Sequence, residues 1–252
     1  MDFTDKRVLV TGGSRGIGKA VANAFAGRGA RVAIGYRSNV EAAEAALAGL
    51  PGGPHVSVRA DVADPAAVEK MVSTAIEFLG GLDIVVNNAG IWVDHALDEV
   101  DYGQWQDAWR RVLEANLVGP ANVSYCAARH FISHGGGRIV NVSSRGAFRG
   151  EPDGPAYGAS KAGLNSMSQS LAKRLAPHGI FVGAVAPGFV DTDLASRVLD
   201  GPLGDEIRAQ SPLGRVATPE EVAFAVLFLA ADGAEFSTGA IIDVNGASYL
   251  RT

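Results

Sequence analysis

The sequence holds a single cysteine, Cys126, in 252 residues. A lone thiol excludes an internal disulfide and fits a reducing compartment; a small buried apolar residue is its simplest reading. Long apolar runs are also missing. The longest, Val222 to Ala231, is half the ~20 residues that a membrane-spanning helix needs. There is no basic excess, since the net charge is -5, so a nucleic-acid partner is not expected. The first residues, Met1-Asp2-Phe3-Thr4-Asp5-Lys6, are acidic and polar where a secretory signal is basic and then apolar. The expectation is a soluble cytoplasmic protein without a membrane partner. His95, His130 and His178 have no neighbours at metal-ligand spacing, so no metal is expected. No low-complexity segment, repeat or composition shift divides the chain, and residues 1–252 are read as one domain.

What is present is apolar: 47% of residues are hydrophobic and 19% charged, which supports a sizeable core and argues against disorder. Strand-like runs at Arg7–Thr11, Arg31–Tyr36, His55–Asp61, Ile84–Asn87, Arg138–Val142, Phe181–Ala186 and Ile241–Val244 alternate with Ala-rich helical stretches. Near-continuous apolar strands are those of a parallel sheet covered on both faces. Asp64-Pro65 reads as an N-cap with proline at the first helical position, and Thr218-Pro219-Glu220-Glu221 as a capping box. Long helices are expected from about Tyr102 to His134 and from about Ala156 to Pro177. The alternation predicts an α/β fold, a doubly wound seven-stranded parallel sheet with helices on both faces. Ligands of such sheets lie beyond the carboxyl ends of the strands.

Residues of chemical interest cluster just after the strands. Thr11-Gly12-Gly13-Ser14-Arg15-Gly16-Ile17-Gly18 joins a strand to a helix, and its glycines and helix N-terminus form a phosphate cradle. The start of a P-loop fits Gly13 to Lys19, but Ala20 stands where Ser or Thr would hold Mg²⁺. At the end of the second strand, Tyr36-Arg37-Ser38 replaces the carboxylate that would bind the ribose hydroxyls of NAD. Arg37 and Arg15 suit a phosphate, favouring NADP(H) over NAD(H); the competing reading is two solvated surface arginines. Asp61-Val62 follows the third strand, where Asp61 either accepts from an adenine amino group or caps a turn. Asn87-Asn88-Ala89-Gly90 follows the fourth and leaves room for a flat ligand. Ser144 follows the fifth. Tyr157 and Lys161, at i and i+4, share a helical face, and a cation beside the phenol is expected to lower its pKa and suit it to proton transfer.

These motifs, with Asn116 and Pro187-Gly188-Phe189-Val190-Asp191-Thr192, resemble the short-chain dehydrogenase/reductase family along nearly the whole chain. Ser143-Ser144, Ser211-Pro212-Leu213-Gly214-Arg215 and Asp243-Val244-Asn245-Gly246 resemble most its 3-oxoacyl-[acyl-carrier-protein] reductases. The resemblance implies a Rossmann fold and reversible hydride transfer between NADP(H) and a ketone or secondary alcohol. It implies Tyr157 as proton donor, Lys161 on the nicotinamide ribose, Ser144 orienting the carbonyl, and Asn116 fixing a water that relays protons to Lys161. Gly12, Ser14, Arg15, Gly16, Ile17, Gly18, Tyr36, Arg37, Ser38, Asp61, Val62, Asn88, Ala89, Gly90, Tyr157, Lys161, Pro187, Gly188, Val190 and Thr192 are the implied cofactor contacts. A homotetramer is also implied.

The substrate is left open between an acyl thioester and a sugar, cyclic or other small alcohol or ketone. A non-catalytic NADP-binding protein is the rival outside enzymes. Trp92, Phe148 and Phe189 are candidate apolar walls, and Leu194 a lid. Arg145 either holds an anion with Arg149 or pairs at the surface with Glu151 and Asp153; the surface pair is the favoured reading.

Overall fold

The computed structural model describes residues 1–251; the side chains of residues 194 and 197, and residue 252, lie outside the described residues, and with them the expectation for Leu194. Seven strands run β1 (Arg7–Thr11), β2 (Arg31–Tyr36), β3 (Val56–Arg59), β4 (Ile84–Asn87), β5 (Gly137–Val142), β6 (Ile180–Pro187) and β7 (Ile241–Val244). They form one sheet in the order β3-β2-β1-β4-β5-β6-β7, with every pairing parallel.

The apolar strands fill two cores by simple alternation, since successive side chains point to opposite faces. Val8, Val10, Ile34, Ile84, Val86 and Val140 pack on one face with Val21 and Phe25 of helix α1 (Gly16–Ala26). Val222, Val226 and Leu229 of a late helix, Pro219–Ala230, join that core. Leu9, Ala33, Val85 and Ile139 face the other way, onto helix α3 (Pro65–Leu79), which follows α2 (Val40–Ala48). Helices α4 (Tyr102–Leu113), α5 (Gly119–Ser133), α6 (Gly146–Arg149) and α7 (Pro155–Leu175) come next. After β6 come α8 (Asp193–Leu199), α9 (Gly204–Ala209) and α10, the Pro219–Ala230 helix.

Asp64 caps α3, accepting from the N–H groups of Ala66 and Ala67, and Thr218 and Glu221 close the expected box on α10. The helix expected over 102–134 is interrupted. Residues Glu114–Val118 form a π-helical turn between α4 and α5. Pro120 has no N–H to give the Asn116 carbonyl, so the regular ladder slips there. The third strand is shorter than expected because the Asp61 carboxylate accepts from the Ala63 N–H at 3.0 Å and turns the chain.

Between β1 and β4 the winding reverses, one half running out through β2 and β3 and the other through β5, β6 and β7. The crevice at this reversal is where ligands of such sheets sit.

Candidate active site

The crevice is cross-braced at the strand ends. Thr11 Oγ1 accepts from the N–H groups of Asn88 and Ala89 at 3.0 and 3.1 Å. Asn88 Nδ2 donates back to the Thr11 and Gly12 carbonyls at 2.9 and 3.1 Å. Asn87 Nδ2 donates to Asn141 Oδ1 at 2.8 Å, and Asn141 Nδ2 to Ser168 Oγ on α7 at 2.8 Å. Over this frame runs the glycine turn. Gly12 has φ +64°, and a Cβ on Gly18 would stand 2.2 Å from the Gly12 carbonyl oxygen, so the helix can approach the strand only with glycine there.

Helix α1 begins with no side-chain cap and no acidic residue in its first turn, leaving its positive end to an anion. Arg15, its N-cap residue, is exposed, as is Arg37 beyond β2. Arg59, at the end of β3 and in register with Tyr36, donates from Nε to the Arg37 carbonyl at 3.1 Å. Among the described residues none of the three arginines is in an ion pair. Arg59 was not singled out from the sequence; its pairing with Tyr36 becomes visible only with the strand register.

At the other end, Pro187 closes β6, and the Gly188 N–H donates to the Val244 carbonyl at 3.0 Å. Val190 bridges to Ala217, and Thr192 caps α8. A Cβ on Gly16 would touch the Thr192 methyl at 3.3 Å, so the glycine turn and the start of α8 face each other across the crevice.

Tyr157 lies in the first turn of α7, close to Ser144, with the Trp92 ring 4.9 Å away. Ser144 Oγ also accepts from the Gly146 N–H at 3.0 Å. Lys161 is buried, and its Nζ donates to the Val142 carbonyl at 2.8 Å. Asn116, in the π-turn, grips Ile91 by two bonds: Oδ1 accepts from its N–H at 2.8 Å and Nδ2 donates to its carbonyl at 2.9 Å. A Cβ on Gly90 would stand 3.2 Å from Asn116 Oδ1 and 3.5 Å from Lys161 Nζ, so these residues meet at one point.

The electrostatics correct one expectation. The Tyr157 phenol is raised rather than lowered: burial pushes it up and outweighs the lowering effect of the nearby Ser144 hydroxyl. Lys161 Nζ, 5.7 Å from the centre of the Tyr157 ring, is turned toward the end of β5. Burial lowers the lysine to about 8. Sharing a helical face therefore does not bring the ammonium onto the phenol oxygen.

Two expectations for the substrate loops also change. Phe148 lies under the C-terminal segment, with the Arg251 guanidinium 4.4 Å from its ring and its carbonyl accepting from Tyr249 Oη at 3.3 Å. Among the described residues Arg145 forms no surface pair. It is buried and donates to Ser248 Oγ and Gln210 Oε1, both at 2.6 Å; only Arg149 approaches Glu151, at 4.0 Å. With Phe189 it lines a cavity of about 160 Å³ beyond β6 and β7. His95, read from the sequence only as lacking metal-ligand neighbours, pins its loop to α7. Its Nδ1 bonds the Val93 carbonyl at 2.7 Å and its Nε2 accepts from the Ala156 N–H at 3.1 Å. Among the described residues no helix is long and apolar enough to cross a membrane, and no cluster of three His, Cys, Asp or Glu is placed to hold a metal.

A family model described as Enoyl-(Acyl carrier protein) reductase matches residues 12–247. The chain is 38% identical over 250 residues to the 3-oxoacyl-[acyl-carrier-protein] reductase FabG of Escherichia coli, covering 99% of this chain and all of that one. It is 41% identical over 247 residues to a cis-4-hydroxycyclohexanecarboxylate dehydrogenase of Sinomonas cyclohexanicum, covering 97% and 96%. A short chain dehydrogenase from Burkholderia cenocepacia, solved in complex with NADP, superposes with TM-score 0.89 at 37% identity, covering 98% and 99%. A short-chain type dehydrogenase/reductase from Mycobacterium ulcerans superposes with TM-score 0.92 at 31% identity, covering 98% of this chain and 91% of that one. Fold and relatives define a nicotinamide-dependent oxidoreductase. The chain belongs to the short-chain dehydrogenase/reductase family.

Proposed function

We propose that the protein reduces a ketone to a secondary alcohol, reversibly, with NADP(H). The observation that carries this reading is the meeting of Ser144, Tyr157, Lys161 and Asn116 at the mouth of the β1/β4 crevice. The crevice fits the cofactor. The uncapped start of α1 and the glycine turn accept the pyrophosphate, and Gly90 leaves room beside Lys161 for the nicotinamide ribose. Arg15 and Arg37, exposed and without an ion pair among the described residues, take the 2′-phosphate, which favours NADP(H) over NAD(H). The wall above is Gly188, Val190 and Thr192. When bound, the reduced cofactor supplies the hydride.

The protein supplies orientation and the proton. Ser144 Oγ holds the substrate carbonyl oxygen, and Tyr157, kept protonated by burial, donates its phenolic proton to that oxygen. Lys161 Nζ lies 5.7 Å from the centre of the Tyr157 ring, and its charge favours the phenolate left behind. Asn116 has its side chain committed to Ile91. The water it holds for Lys161 is therefore bound at its main-chain carbonyl, to which Pro120 cannot donate.

Substrates of two kinds are compatible with the relatives: acyl thioesters, for which FabG is named, and cyclic alcohols, for which the Sinomonas enzyme is named. A cytoplasmic location and a tetramer complete the reading; Phe224, Phe228 and Phe236 leave the α10 side of the molecule apolar and exposed. Light scattering at four times 26.0 kDa is the expected result. Loss of 340 nm absorbance in NADPH solutions offered β-ketoacyl thioesters, cyclic ketones, diketones and sugars tests the activity. No oxidation above the blank with any carbonyl would favour a non-catalytic binder.

A further inference from the structure

Arg145 directly follows Ser144, and its N–H is tied to the Pro187 carbonyl at 2.8 Å. Its side chain belongs to a residue only 4% exposed, although removing a guanidinium from water costs several kcal/mol unless the charge is compensated. Among the described residues no carboxylate touches it. Nη1 and Nη2 each donate to a neutral oxygen, Ser248 Oγ and Gln210 Oε1, and the cation lies 5.1 Å from the centre of the Phe189 ring. Such partners orient a charge without cancelling it. Three of the five guanidinium N–H groups make no bond to the described residues.

The surrounding charges sharpen this. Arg215 and Glu221 line the same cavity but hold each other by two bonds, at 2.8 and 2.6 Å. Asp243 is paired with Arg251 at 2.7 Å. Glu151 acts on Arg145 only through space, and Arg149 adds a second positive charge nearby. The cavity, about 160 Å³, is far larger than the ~10–15 Å³ that admits one water.

We propose that this cavity binds a carboxylate of the substrate, with Arg145 as its counter-ion, so that the enzyme acts on keto acids and hydroxy acids. The inference rests on the oxidoreductase reading above, in which the carbonyl is held at Ser144 and Tyr157; Arg145 is the next residue along the chain, and the cavity it lines is the proposed seat of the acid group. Ser248 and Gln210 aim the guanidinium, and Phe189 supplies an apolar wall of the cavity beside it.

The test compares 4-oxocyclohexanecarboxylate with its methyl ester, which keeps the ring and ketone but not the charge. Wild-type kcat/KM is expected to favour the acid by at least about tenfold, as for loss of one charge-assisted bond. The ratio should fall to near one in Arg145→Gln and be partly kept in Arg145→Lys. Calorimetry on the enzyme–NADP⁺ complex gives a readout without turnover: cyclohexanecarboxylate binds tighter than its ester in the wild type and not in Arg145→Gln. Should that variant fail to fold, Ser248→Ala and Gln210→Ala are expected to lower the same ratio. Reduction of acid and ester with equal kcat/KM overturns the carboxylate site and leaves the reductase reading standing. Binding of the acid through Arg145 without reduction of any ketone upholds the site and removes the reductase reading. A phosphopantetheine thioester outcompeting the acid at Arg145 also overturns the proposal.

Discussion

Lys161 Nζ donates to the Val142 carbonyl oxygen at 2.8 Å, which anchors α7 to the end of the central strand β5. The ammonium is buried among neutral groups, and burial lowers it to about 8. In the proposed reaction the charged lysine favours the phenolate formed as Tyr157 gives up its proton; that charge is present below this pH and lost above it. In the carbonyl-reducing direction kcat/KM is expected to fall as pH rises through about 8. Arginine at this position keeps its charge throughout, so the limb should vanish in Lys161→Arg whatever rate remains. A wild-type profile flat from pH 6 to 10 would assign the lysine another role.

Arg37 and Arg59 are coupled by the 3.1 Å bond from Arg59 Nε to the Arg37 carbonyl, and neither is neutralised by a carboxylate among the described residues. Arg37→Asp should lower the NADPH/NADH ratio of kcat/KM by about 10–100-fold, the size of one charge-assisted phosphate bond. Arg59→Gln should lower it less. Initial rates with both cofactors check this. An unchanged ratio in the Asp variant would take Arg37 out of the phosphate site.

Gly18→Ala tests the cradle. The added Cβ would stand 2.2 Å from the Gly12 carbonyl oxygen and 2.4 Å from Asn88 Nδ2, and a backbone oxygen cannot step aside as a side chain can. We expect NADPH affinity to drop by about tenfold or more while the far-UV dichroism stays native. Unchanged affinity would mean that the glycine turn does not carry the pyrophosphate.

Asp83 joins the start of β1 to the start of β4, accepting from Arg7 through Nε, Nη2 and the backbone N–H at 2.7–2.8 Å. Burial raises its carboxyl, but the bonds from Arg7 prevail and hold it below 3.8. A lowered folded pKa adds stability above the unfolded value and loses it as pH falls through the folded one. Asp83→Asn should cost about 1–3 kcal/mol at pH 7. The wild-type advantage should shrink below about pH 4. Urea melts at pH 7 and pH 3 measure both.

The fold was legible because parallel strands covered on both faces read as short apolar runs, and Asp64, Thr218 and the glycine turn mark helix starts by their side-chain chemistry. Asn116 and the Tyr157–Lys161 pair were legible as residues but not as geometry. The π-turn depends on Pro120 breaking one carbonyl's partner, which no periodicity reveals. Helical spacing placed Lys161 beside Tyr157 without saying where Nζ points. Arg145 misled most clearly. Its neighbours in sequence, Glu151 and Asp153, suggested a local pair, whereas its partners Gln210 and Ser248 lie 65 and 103 residues away. Only the packing of α9 and the C-terminal segment over β6 brings them together.

The central claim is that Tyr157 gives the proton while the rest of the crevice holds the cofactor. Single-turnover oxidation of bound NADPH by 4-oxocyclohexanecarboxylate, compared between the wild type and Tyr157→Phe, measures this with the loss of one oxygen atom. General acid catalysis contributes ~10²–10⁴-fold, so the variant should bind NADPH as the wild type does and oxidise it slower by about that factor. A variant that binds NADPH normally and oxidises it at the wild-type rate would contradict the account.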